Sequence, residues 1–570
     1  MTYHDLYEVR PIHDLKDMIT SSAAIYGDKA AFLLKKKDNP DYVPVSYKQF
    51  KNDIDALGTS LINLGLKDKK VAIIGENRYE WCVAYLAVTG GTGIAVPLDK
   101  ELPANEIENL IKRSEADAII YSGSLSESMG RIAHENIGPR YYINMDGESG
   151  EGSVLSYAKL IANGRELLQN GERVFLDAVI NPDIMNILLF TSGTTDKSKA
   201  VMLSQKNISE NLMNMCSMLY IDEKDVFLSI LPLHHTYECT CGFLCQMYRG
   251  CTVAFCEGLR HIVKNLKESG CTVMNGVPLI FESIYKQIMN QAAKKRGGLA
   301  ILKMAVHLSN DFRMIGIDLR RKLFKKIYDG LGGHIRLFIS GAAGIDPQVS
   351  KGFRNIGITL VQGYGLTECS PIVALNRNNN YKDDAAGLPL PNLEVEIANA
   401  GQDGIGEIRC KGSSVMLGYY QNEEATNEVI RDGWFYTGDL GFLDSDGFVH
   451  ITGRKKNVIV TKNGKNIYPE EIETLLGRSP YVKESLVFAK EDEDGDVAVN
   501  AIIVPNYEKI DEDIKSGVVL GSNAYDIIAK DVKSVNKQLV LNKYIKHFDL
   551  RDEEFQKTTT RKIKRYQELM

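Results

Sequence analysis

Residues 188–199 read Leu188-Leu-Phe-Thr-Ser-Gly-Thr-Thr-Asp-Lys-Ser-Lys199. An apolar run typical of a strand breaks here into a turn of hydroxyl residues and glycine, and two lysines follow. Backbone N–H groups, hydroxyls and ammonium groups then converge on one loop, which is the chemistry needed to hold a polyphosphate. The spacing is not that of a Walker A motif, and an ordinary surface turn stays an alternative. The segment predicts a strand followed by a phosphate-binding loop.

The sequence on either side of this loop alternates between strand and helix patterns, which predicts an α/β fold with parallel-type sheets covered by helices. One covering helix is expected at Tyr47–Leu64, and Trp81–Leu98 reads as a buried helix, a glycine turn and a strand rather than a membrane span. The expected strands are Val71–Ile74, Gly93–Pro97, Ala118–Tyr121, Tyr141–Asn144, Ile335–Ile339 and Ile358–Gln362.

From Leu393 onward the pattern changes to short strands divided by glycine turns, which predicts a small β-rich unit at about 390–454. A lysine-rich joint follows at 454–457, and a helix is expected at Tyr468–Leu476, with proline and acidic residues in its first turn. Two further strands, Ser485–Ala489 and Val497–Val504, indicate a small α+β domain. We therefore predict an N-terminal domain at 1–454 and a mobile C-terminal domain at 455–570.

The composition bounds the class of protein. The 570 residues are 44% hydrophobic and 25% charged, as in ordinary globular enzymes, and the net charge of −6 argues against a nucleic-acid binder. The ten cysteines form no pair of Cys-x-x-Cys knuckles, which argues against zinc and for reduced thiols in the cytoplasm. The N-terminal residues have no apolar segment of a secretory signal. A soluble cytoplasmic protein is expected.

Residues 283–330 are dense in lysine and arginine on what reads as a helical hairpin. Such charge runs are usually solvated faces, and docking on an anionic membrane is the alternative.

Further motifs downstream supply nucleotide-binding chemistry. Gly363-Tyr-Gly-Leu-Thr-Glu368 follows an expected strand, where two glycines let an aromatic ring lie against a planar base and Thr367 and Glu368 offer oxygens to phosphate or Mg²⁺. Tyr436-Thr-Gly-Asp439 places a carboxylate in a glycine turn, suited to a ribose diol. Lys557-Thr-Thr-Thr-Arg-Lys-Ile-Lys-Arg565 is a cationic loop. Each motif alone also fits a core tyrosine, a turn former or a solvated lysine.

In chain order these segments, together with Leu231-Pro-Leu-His-His-Thr-Tyr-Glu238, Ser340-Gly-Ala-Ala343, Gly406-Glu-Ile408 and Gly453-Arg-Lys-Lys456, resemble the adenylate-forming superfamily of acyl-CoA synthetases, adenylation domains and luciferases. The resemblance spans about residues 20–565. Three segments are most similar to long-chain fatty acyl-CoA ligases: Glu76–Trp81, Val96–Leu102 and Val277–Tyr285.

The resemblance implies a two-step reaction with ATP, Mg²⁺ and coenzyme A. A fatty acid carboxylate attacks the α-phosphorus of ATP and releases pyrophosphate, and the CoA thiolate then displaces AMP from the acyl-adenylate. The small domain would turn about a hinge at Lys456, after which Gly464 lets the thiol arm of CoA approach. The acyl group could instead pass to an acyl carrier protein, and peripheral membrane contact is compatible with such a substrate.

The resemblance also implies the role of each site residue. Lys562 would bridge the carboxylate and the α-phosphate, and His235 would lie beside the reacting carboxylate. Glu368 would bind Mg²⁺ together with Thr191, and Thr367 would contact phosphate. Tyr364 would stack on adenine, and Asp439 and Arg454 would bind ribose. The remaining nucleotide-binding positions are Ser192, Gly193, Thr194, Thr195, Lys199, Gly341, Ala342, Ala343, Gly363 and Gly365.

Two departures from the family pattern bear on rate and ATP affinity. The phosphate loop has Asp196-Lys-Ser-Lys-Ala200 where the family has Gly, any residue, Pro-Lys-Gly, and Arg561 stands where glycine usually precedes the catalytic lysine. An aspartate beside a polyphosphate is repulsive unless a cation offsets it. We expect an active fatty acyl-CoA ligase. The alternatives are a ligase that loads a carrier protein, a CoA ligase for aryl or branched acids, and a non-enzymatic nucleotide sensor.

Overall fold

The computed structural model describes residues 5–36, 39–134, 138–147, 153–191, 198–461, 466–491, 497–518, 523–558 and 562–569. Its contacts divide the chain into two compact units. The first consists of Met1–Glu394 with Cys410–Phe435, and the second consists of Val395–Arg409 with Tyr436–Met570. The boundary predicted at 454/455 is a hinge at which one domain moves. A division of the chain by contacts does not test such a movement, so this boundary stays a prediction.

The strands, numbered in chain order, are β1 Ala30–Lys36, β2 Asn39–Ser46, β3 Lys69–Ile74, β4 Gly93–Leu98, β5 Ala118–Tyr121, β6 Tyr141–Asn144, β7 Val154–Ser156, β8 Met185–Thr191, β9 Lys199–Ser204, β10 Val226–Ser229, β11 Thr252–Phe255, β12 Val273–Gly276, β13 Leu337–Ser340, β14 Thr359–Gly365, β15 Ile372–Leu375, β16 Leu388–Pro389, β17 Leu393–Ala398, β18 Gly406–Gly412, β19 Gly418–Tyr419, β20 Ile430–Arg431, β21 Trp434–Leu443, β22 Val449–Arg454, β23 Ile459–Val460, β24 Asn466–Ile467, β25 Val482–Glu491, β26 Val497–Pro505 and β27 Ile545–Leu550.

The α-helices are α1 Leu15–Tyr26, α2 Tyr47–Asn63, α3 Tyr79–Ala87, α4 Ala104–Ser114, α5 Ser126–His134, α6 Tyr157–Gln169, α7 Gln205–Met218, α8 Cys245–Arg249, α9 Ile262–Ser269, α10 Pro278–Ala293, α11 Gly298–Met314, α12 Arg320–Leu323, α13 Lys325–Gly330, α14 Pro347–Asn355, α15 Glu423–Val429, α16 Pro469–Gly477, α17 Tyr507–Lys515, α18 Ala524–Asn536 and α19 Arg565–Glu568. Two π-helical segments, Val88–Thr92 and Tyr237–Leu244, interrupt the first unit.

The first unit contains two large sheets. One has the strand order β16-β15-β14-β13-β12-β10-β11-β1-β2, and the other has the order β19-β9-β8-β4-β3-β5-β6-β7. Their central strands are parallel, as in the pairs β12–β13 and β3–β4, whereas strands such as β2, β9 and β15 pair antiparallel. The predicted α/β class with parallel-type sheets is confirmed, and each expected strand is found within three residues of its predicted bounds.

Apolar residues from the strands and their covering helices form the cores of this unit. One cluster joins Leu228, Met274 and Phe338 of the first sheet to Phe281 and Phe353 of α10 and α14. Because parallel strands carry helices on both faces, their residues are apolar on both sides, which is why the sequence shows continuous apolar runs there.

The segment Trp81–Leu98 folds as the sequence predicts, into a buried helix, a glycine turn and a strand. Trp81 is fully buried in α3. Gly91 has φ 142°, and a Cβ there would lie 2.8 Å from the Cβ of Ala178, so this turn requires glycine. Among the described residues, no helix has the length and apolar character that a membrane crossing demands.

The second unit contains a three-stranded sheet in which β26 pairs antiparallel with β25 and parallel with β27. Helices α16 and α18 pack on it through a core that includes Ile472, Leu476, Ile528 and Val532. This is the α+β arrangement that the sequence predicts for the C-terminal region.

Candidate active site

The two ends of the predicted phosphate loop lie side by side in the first unit. Strands β8 and β9 pair antiparallel and place Thr191 opposite Lys199. The Thr191 hydroxyl donates a hydrogen bond to the Lys199 carbonyl oxygen at 3.3 Å. The predicted contacts of Ser192, Gly193, Thr194 and Thr195, and the position of Asp196, lie outside the described residues.

Arg113 fixes the C-terminal end of this loop. Its guanidinium donates to the Ser198 hydroxyl at 2.9 Å and to the Ser198 carbonyl oxygen at 2.7 Å. The same guanidinium lies 5.3 Å from the ring centroid of Phe190 on β8. Ser198 is one of the residues that depart from the family pattern, and its hydroxyl supplies a contact that proline could not make.

Tyr419 connects the loop to the predicted metal ligand. Its hydroxyl donates a hydrogen bond to Glu368 Oε1 at 2.9 Å, and the Lys199 ammonium nitrogen lies 4.7 Å from the centroid of its ring. Desolvation, followed by the Glu368 carboxylate, raises the pKa of the Tyr419 hydroxyl, so that it stays a donor at neutral pH. A cation suited to phosphate and a carboxylate suited to Mg²⁺ thus flank one tyrosine.

Thr367 and Glu368 follow β14 in a short 3-10 turn. The Thr367 hydroxyl lies 3.4 Å from the hydroxyl of Thr236, a residue of the histidine motif. Thr367, the residue predicted to contact phosphate, therefore lies beside that motif. The Glu368 carbonyl oxygen accepts the Met416 N–H at 2.8 Å. Within the described part of the chain no group of three or more His, Cys, Asp or Glu side chains converges, so the Mg²⁺ roles of Glu368 and Thr191 stay predictions.

The predicted adenine-binding segments lie at the ends of neighbouring strands. Tyr364 on β14 is only 7% exposed. A Cβ at Gly365 would lie 2.1 Å from the Pro371 carbonyl oxygen, so only glycine fits there. After β13, Ala342 has φ 71°, a left-handed conformation that is rare for a residue with a side chain and typical of functional loops. A Cβ at Gly341 would meet the ring of Tyr237 at 2.8 Å.

Asn77 organises the histidine motif at 231–238. Its amide nitrogen donates to the Ser229 hydroxyl at 3.0 Å and to the Leu231 carbonyl oxygen at 2.6 Å, and its amide oxygen accepts the Leu233 N–H at 3.0 Å. Asn77 belongs to one of the segments that resemble long-chain ligases. That segment therefore shapes the loop on which His235 stands.

The two histidines of the motif pack against each other, with ring centroids 4.5 Å apart. Desolvation, and then the ammonium of Lys100, lower the pKa of His234 to about 3, so that this ring is neutral at physiological pH. Its Nε2 lies 3.5 Å from Asp99 Oδ2. His235 is half-buried beside it, and its predicted contact with a substrate carboxylate stays a prediction.

Glu238 is fully buried behind the motif, where the Ser229 hydroxyl donates to its Oε1 at 2.6 Å. Desolvation raises its pKa to about 8, and the Ser229 hydrogen bond opposes this. Glu238 is therefore mainly protonated at neutral pH, which explains how a carboxyl group is tolerated in this apolar position.

A cavity of about 270 Å³ opens in front of these residues. Its walls include Asn77, Asp99, Lys100, Ser229 and His234. Two of the segments that resemble long-chain ligases and the histidine motif thus border a single cavity in the first unit.

In the second unit, Asp439 and Arg454 stand opposite each other on β21 and β22. Arg454 Nε lies 2.7 Å from Asp439 Oδ1. The Asp439 N–H donates to the Thr437 hydroxyl at 3.1 Å, and that hydroxyl donates to the Ile408 carbonyl oxygen at 2.7 Å. Arg454 therefore holds the predicted ribose-binding carboxylate, and Thr437 holds the backbone of Asp439.

Lys562 belongs to the same unit, and the charges of Arg454 and Asp439 both affect the pKa of its ammonium group. Desolvation, and then the Arg454 guanidinium, lower the pKa of the Lys562 ammonium to about 8, whereas the Asp439 carboxylate raises it. The residue nevertheless keeps more than a third of its surface exposed, so solvent screens part of these interactions. Desolvation also lowers the pKa of Lys456 at the predicted hinge. Gly464 lies outside the described residues.

The profile of the family described as AMP-binding enzyme matches residues 19–420, which include the phosphate loop and Glu368. The chain belongs to the AMP-binding enzyme family. The resemblance to adenylate-forming enzymes, and the predicted class of an AMP-forming acid–CoA ligase, are confirmed.

Curated relatives cover most of the chain. A long-chain-fatty-acid–CoA ligase, FadD15, of Mycobacterium bovis is 29% identical over 79% of this chain and 78% of its own length. Long-chain-fatty-acid–CoA ligase 5 of Rattus norvegicus is 30% identical over 79% and 70%. The chloroplastic long-chain-fatty-acid–[acyl-carrier-protein] ligase AEE15 of Arabidopsis thaliana is 27% identical over 86% and 76%.

Solved structures support the fold. The anthranilate CoA ligase AuaEII in complex with anthranoyl-AMP is similar with a TM-score of 0.78 at 18% identity, over 98% of this chain and 97% of that one. At this identity the similarity concerns the fold alone.

The sequence reasoning missed Arg113 and Tyr419. Arg113 sits in an ordinary charged helix, and the residue that it contacts is 85 positions away. Tyr419 carries a weak signal, because Gly418-Tyr419-Tyr420 follows a β-rich segment.

Proposed function

We propose that the protein converts medium- to long-chain fatty acids to acyl-CoA at the expense of ATP. A carboxylate oxygen forms a bond to the α-phosphorus of ATP, the bond from that phosphorus to the β-phosphate oxygen breaks, and pyrophosphate leaves. The CoA thiolate then forms a bond to the acyl carbon, and AMP leaves with the oxygen that joined it. ATP is required because a carboxylate oxygen is a poor leaving group, whereas AMP in a mixed anhydride is a good one.

The arrangement of Lys199, Tyr419 and Glu368 supports this proposal most strongly. The donor set fits a magnesium nucleotide, since it pairs an ammonium for phosphate with a carboxylate oxygen for a hard cation. Thr191 and Glu368 would hold Mg²⁺, which neutralises phosphate charge when bound. Tyr419 holds one carboxylate oxygen in place, which leaves Glu368 Oε2 as the other acceptor.

The second unit would contribute the ribose contacts and the lysine of the first step. The Asp439 carboxylate lies beside Arg454, and a carboxylate is suited to accept hydrogen bonds from a ribose diol. Lys562 would offset the repulsion between the attacking carboxylate and the α-phosphate. This repulsion grows as the two anions approach each other, so the ammonium stabilises the transition state most. His235 would orient the carboxylate.

The fatty acid class rests on the relatives, whose names specify long-chain fatty acids. Two of the three segments that resemble long-chain ligases border the cavity beside the histidine motif, which supports the same class. The cytoplasm is the proposed location, because all ten cysteines are thiols, the state expected in a reducing compartment.

The test is the release of AMP from ATP with saturated acids from acetate to stearate, each with and without CoA. The proposal predicts a maximum at medium to long chains and an acyl-CoA product. Release that is highest with benzoate or with short branched acids would contradict the fatty acid class.

A second candidate acceptor is an acyl carrier protein, which the Arabidopsis relative named above favours. CoA and holo acyl carrier protein supplied side by side distinguish the two, because a thioester on the carrier alone would exclude the CoA ligase. A nucleotide sensor, the remaining alternative, would bind ATP without any acid-dependent exchange of pyrophosphate.

A further inference from the structure

Lys562 lies on a short segment near the end of the chain whose two limbs are joined by backbone hydrogen bonds. The Thr558 N–H donates to the Lys562 carbonyl oxygen at 2.8 Å, and the Lys564 N–H donates to the Gln556 carbonyl oxygen at 2.8 Å. We call the described residues from Gln556 to Arg565 the terminal hairpin. These bonds fix Lys562 relative to the hairpin, so its place in the second unit depends on how the hairpin is attached.

Both limbs of the terminal hairpin are attached to β25, which stands at the edge of the three-stranded sheet. On the first limb, the Lys557 ammonium donates to Glu484 Oε1. On the second limb, the Arg565 guanidinium donates to the Val487 carbonyl oxygen at 2.9 Å. Lys562 lies between these two attachments and only three residues before the second.

Glu473 of α16 completes the second attachment. The Arg565 guanidinium also donates to Glu473 Oε1, and the Val487 N–H donates to the same oxygen at 2.6 Å. The three residues thus close a ring of hydrogen bonds, in which the side chains of Arg565 and Glu473 are each only 19% exposed. A guanidinium that donates in two directions fixes its own orientation, which a single donor does not. We call Glu473 and Arg565 the clamp.

The carboxylate of the clamp lies among cations. Desolvation, then Arg454 and then Arg565, lower the pKa of the Lys456 ammonium, which shows that positive charges gather here. Desolvation raises the pKa of Glu473 to about 7, while the Arg565 guanidinium and the Val487 N–H oppose this rise. A neutral side chain at position 473 would leave the Arg565 guanidinium without its carboxylate, which weakens the attachment.

We propose that Glu473 and Arg565 are positioning residues that hold Lys562 in the place required for the first step of the reaction. This inference rests on the role proposed above for Lys562. The clamp itself need not touch the substrates, because it acts through the backbone that joins Arg565 to Lys562. A misplacement of a catalytic group by about 1 Å can lower a rate by up to about a hundredfold, so the attachment of the hairpin matters.

The clamp should affect only one of the two steps. Lys562 is proposed to act where the carboxylate meets the α-phosphate, whereas attack of the CoA thiolate on a finished acyl-adenylate brings no such pair of anions together. Residues that merely stabilised the second unit would affect both steps, since each needs a folded protein. The ratio of the two rates therefore separates positioning from stability.

The test measures each step with the full-length protein at about pH 7.5, where most of Glu473 is ionised. Dodecanoate-dependent ATP–pyrophosphate exchange reports the first step, and transfer from synthetic dodecanoyl-adenylate to CoA reports the second. In Glu473→Gln and in Arg565→Ala we expect the kcat of exchange to fall by about tenfold, with KM for ATP and dodecanoate within about threefold of wild type. The second step should stay within about twofold.

Two further variants sharpen the test. Arg565→Lys keeps the charge but cannot hold the two directions of the guanidinium, so exchange should fall by about as much as in Arg565→Ala. It also tests the proposal if Glu473→Gln folds poorly, which thermal denaturation detects. Because the clamp acts as a unit, Glu473→Gln combined with Arg565→Ala should lose no more than Arg565→Ala alone.

The matched control is Glu471→Gln on the same helix. Glu471 pairs with Lys543 at 2.5 Å and does not contact the terminal hairpin in the described bonds. Both steps should proceed in this control as in the wild type, because an exposed ion pair contributes little.

Three outcomes would overturn the proposal. Exchange could stay within about threefold of wild type in both Glu473→Gln and Arg565→Lys, both steps could fall equally, or the losses in the double variant could multiply. Lys562→Ala in the same assays separates this inference from the proposed function. If Lys562→Ala loses exchange while the clamp variants keep it, only the clamp is refuted, whereas full exchange in Lys562→Ala would refute the role of Lys562 and the clamp with it.

Discussion

The Tyr419 hydroxyl donates a hydrogen bond to Glu368 Oε1 at 2.9 Å, although the two residues lie 51 positions apart in the sequence. The Lys199 ammonium lies over the same tyrosine ring. A residue that no motif predicted thus holds the predicted metal ligand in one orientation and places it near the cation of the phosphate loop.

Replacing Tyr419 by phenylalanine is the first prediction. The hydrogen bond to a carboxylate is lost, which should lower acid-dependent ATP–pyrophosphate exchange by about tenfold and raise the Mg²⁺ concentration needed for half-maximal rate. The control is Tyr420→Phe, because Tyr420 bonds Glu115 instead. Equal Mg²⁺ dependence in the two variants would contradict the proposed role.

Replacing Arg113 by alanine should loosen the C-terminal end of the phosphate loop at Ser198. We expect the KM for ATP to rise by about tenfold, with kcat changed by less than about threefold, because the lost contacts hold the loop and do not touch the reacting atoms. Lys112→Ala on the same helix is the control, since Lys112 pairs only with the half-buried Glu108 among its described partners. A fall in kcat at unchanged KM would refute this assignment.

Glu238 predicts a pH dependence of stability. Its folded pKa of about 8 is above its ordinary value of 4.5, so the folded protein retains a proton that the unfolded chain releases as pH rises through that interval. Stability therefore falls over this window by at most about 1.4 kcal/mol for each pKa unit. Glu238→Gln removes the titration, so its gain in Tm over wild type should grow from below pH 4.5 to about pH 8.

Thermal denaturation over this pH range measures the effect. Glu108→Gln, which alters an exposed ion pair, serves as the control and should show a nearly constant difference in Tm. A Glu238→Gln variant whose difference from wild type is independent of pH would show that the carboxyl is already ionised in the folded protein.

Asp439→Asn tests the ribose contact. The wild type should have a lower KM for ATP than for 2′-deoxy-ATP or 3′-deoxy-ATP. In the variant the ratio of these KM values should fall by about tenfold, because a neutral acceptor replaces a charged acceptor for the diol. Asp444→Asn is the control, since Asp444 pairs with His450 on the same hairpin. Undiminished discrimination in Asp439→Asn would place the ribose elsewhere.

Local patterns in the sequence predicted most of the fold. Apolar runs bounded by turn residues marked strands such as Ala118–Tyr121, which the structure reproduces with identical bounds, and helical spacing marked α2 to within one residue at its end. The order of the motifs identified the family. These signals lie within short stretches of sequence, because the conformation and burial of a strand or helix leave a pattern in consecutive residues.

The contacts that organise the site could not be predicted in this way. Asn77 bonds the histidine motif across more than 150 positions, and Arg113 of α4 reaches Ser198 across 85 positions. Glu238 has an altered pKa only because the fold buries it completely. Spacing in the sequence carries no information on which distant segments meet, so these residues became visible only in three dimensions.

We propose that Lys562 stabilises the transition state in which the carboxylate meets the α-phosphate. The most direct test of this role is fatty-acid-dependent ATP–pyrophosphate exchange in Lys562→Ala, with Lys564→Ala as the control two residues away. We predict a loss of about two orders of magnitude or more in Lys562→Ala, corresponding to about 3 kcal/mol, and near-normal exchange in Lys564→Ala. Exchange in Lys562→Ala within about threefold of wild type would show that Lys562 does not stabilise this transition state.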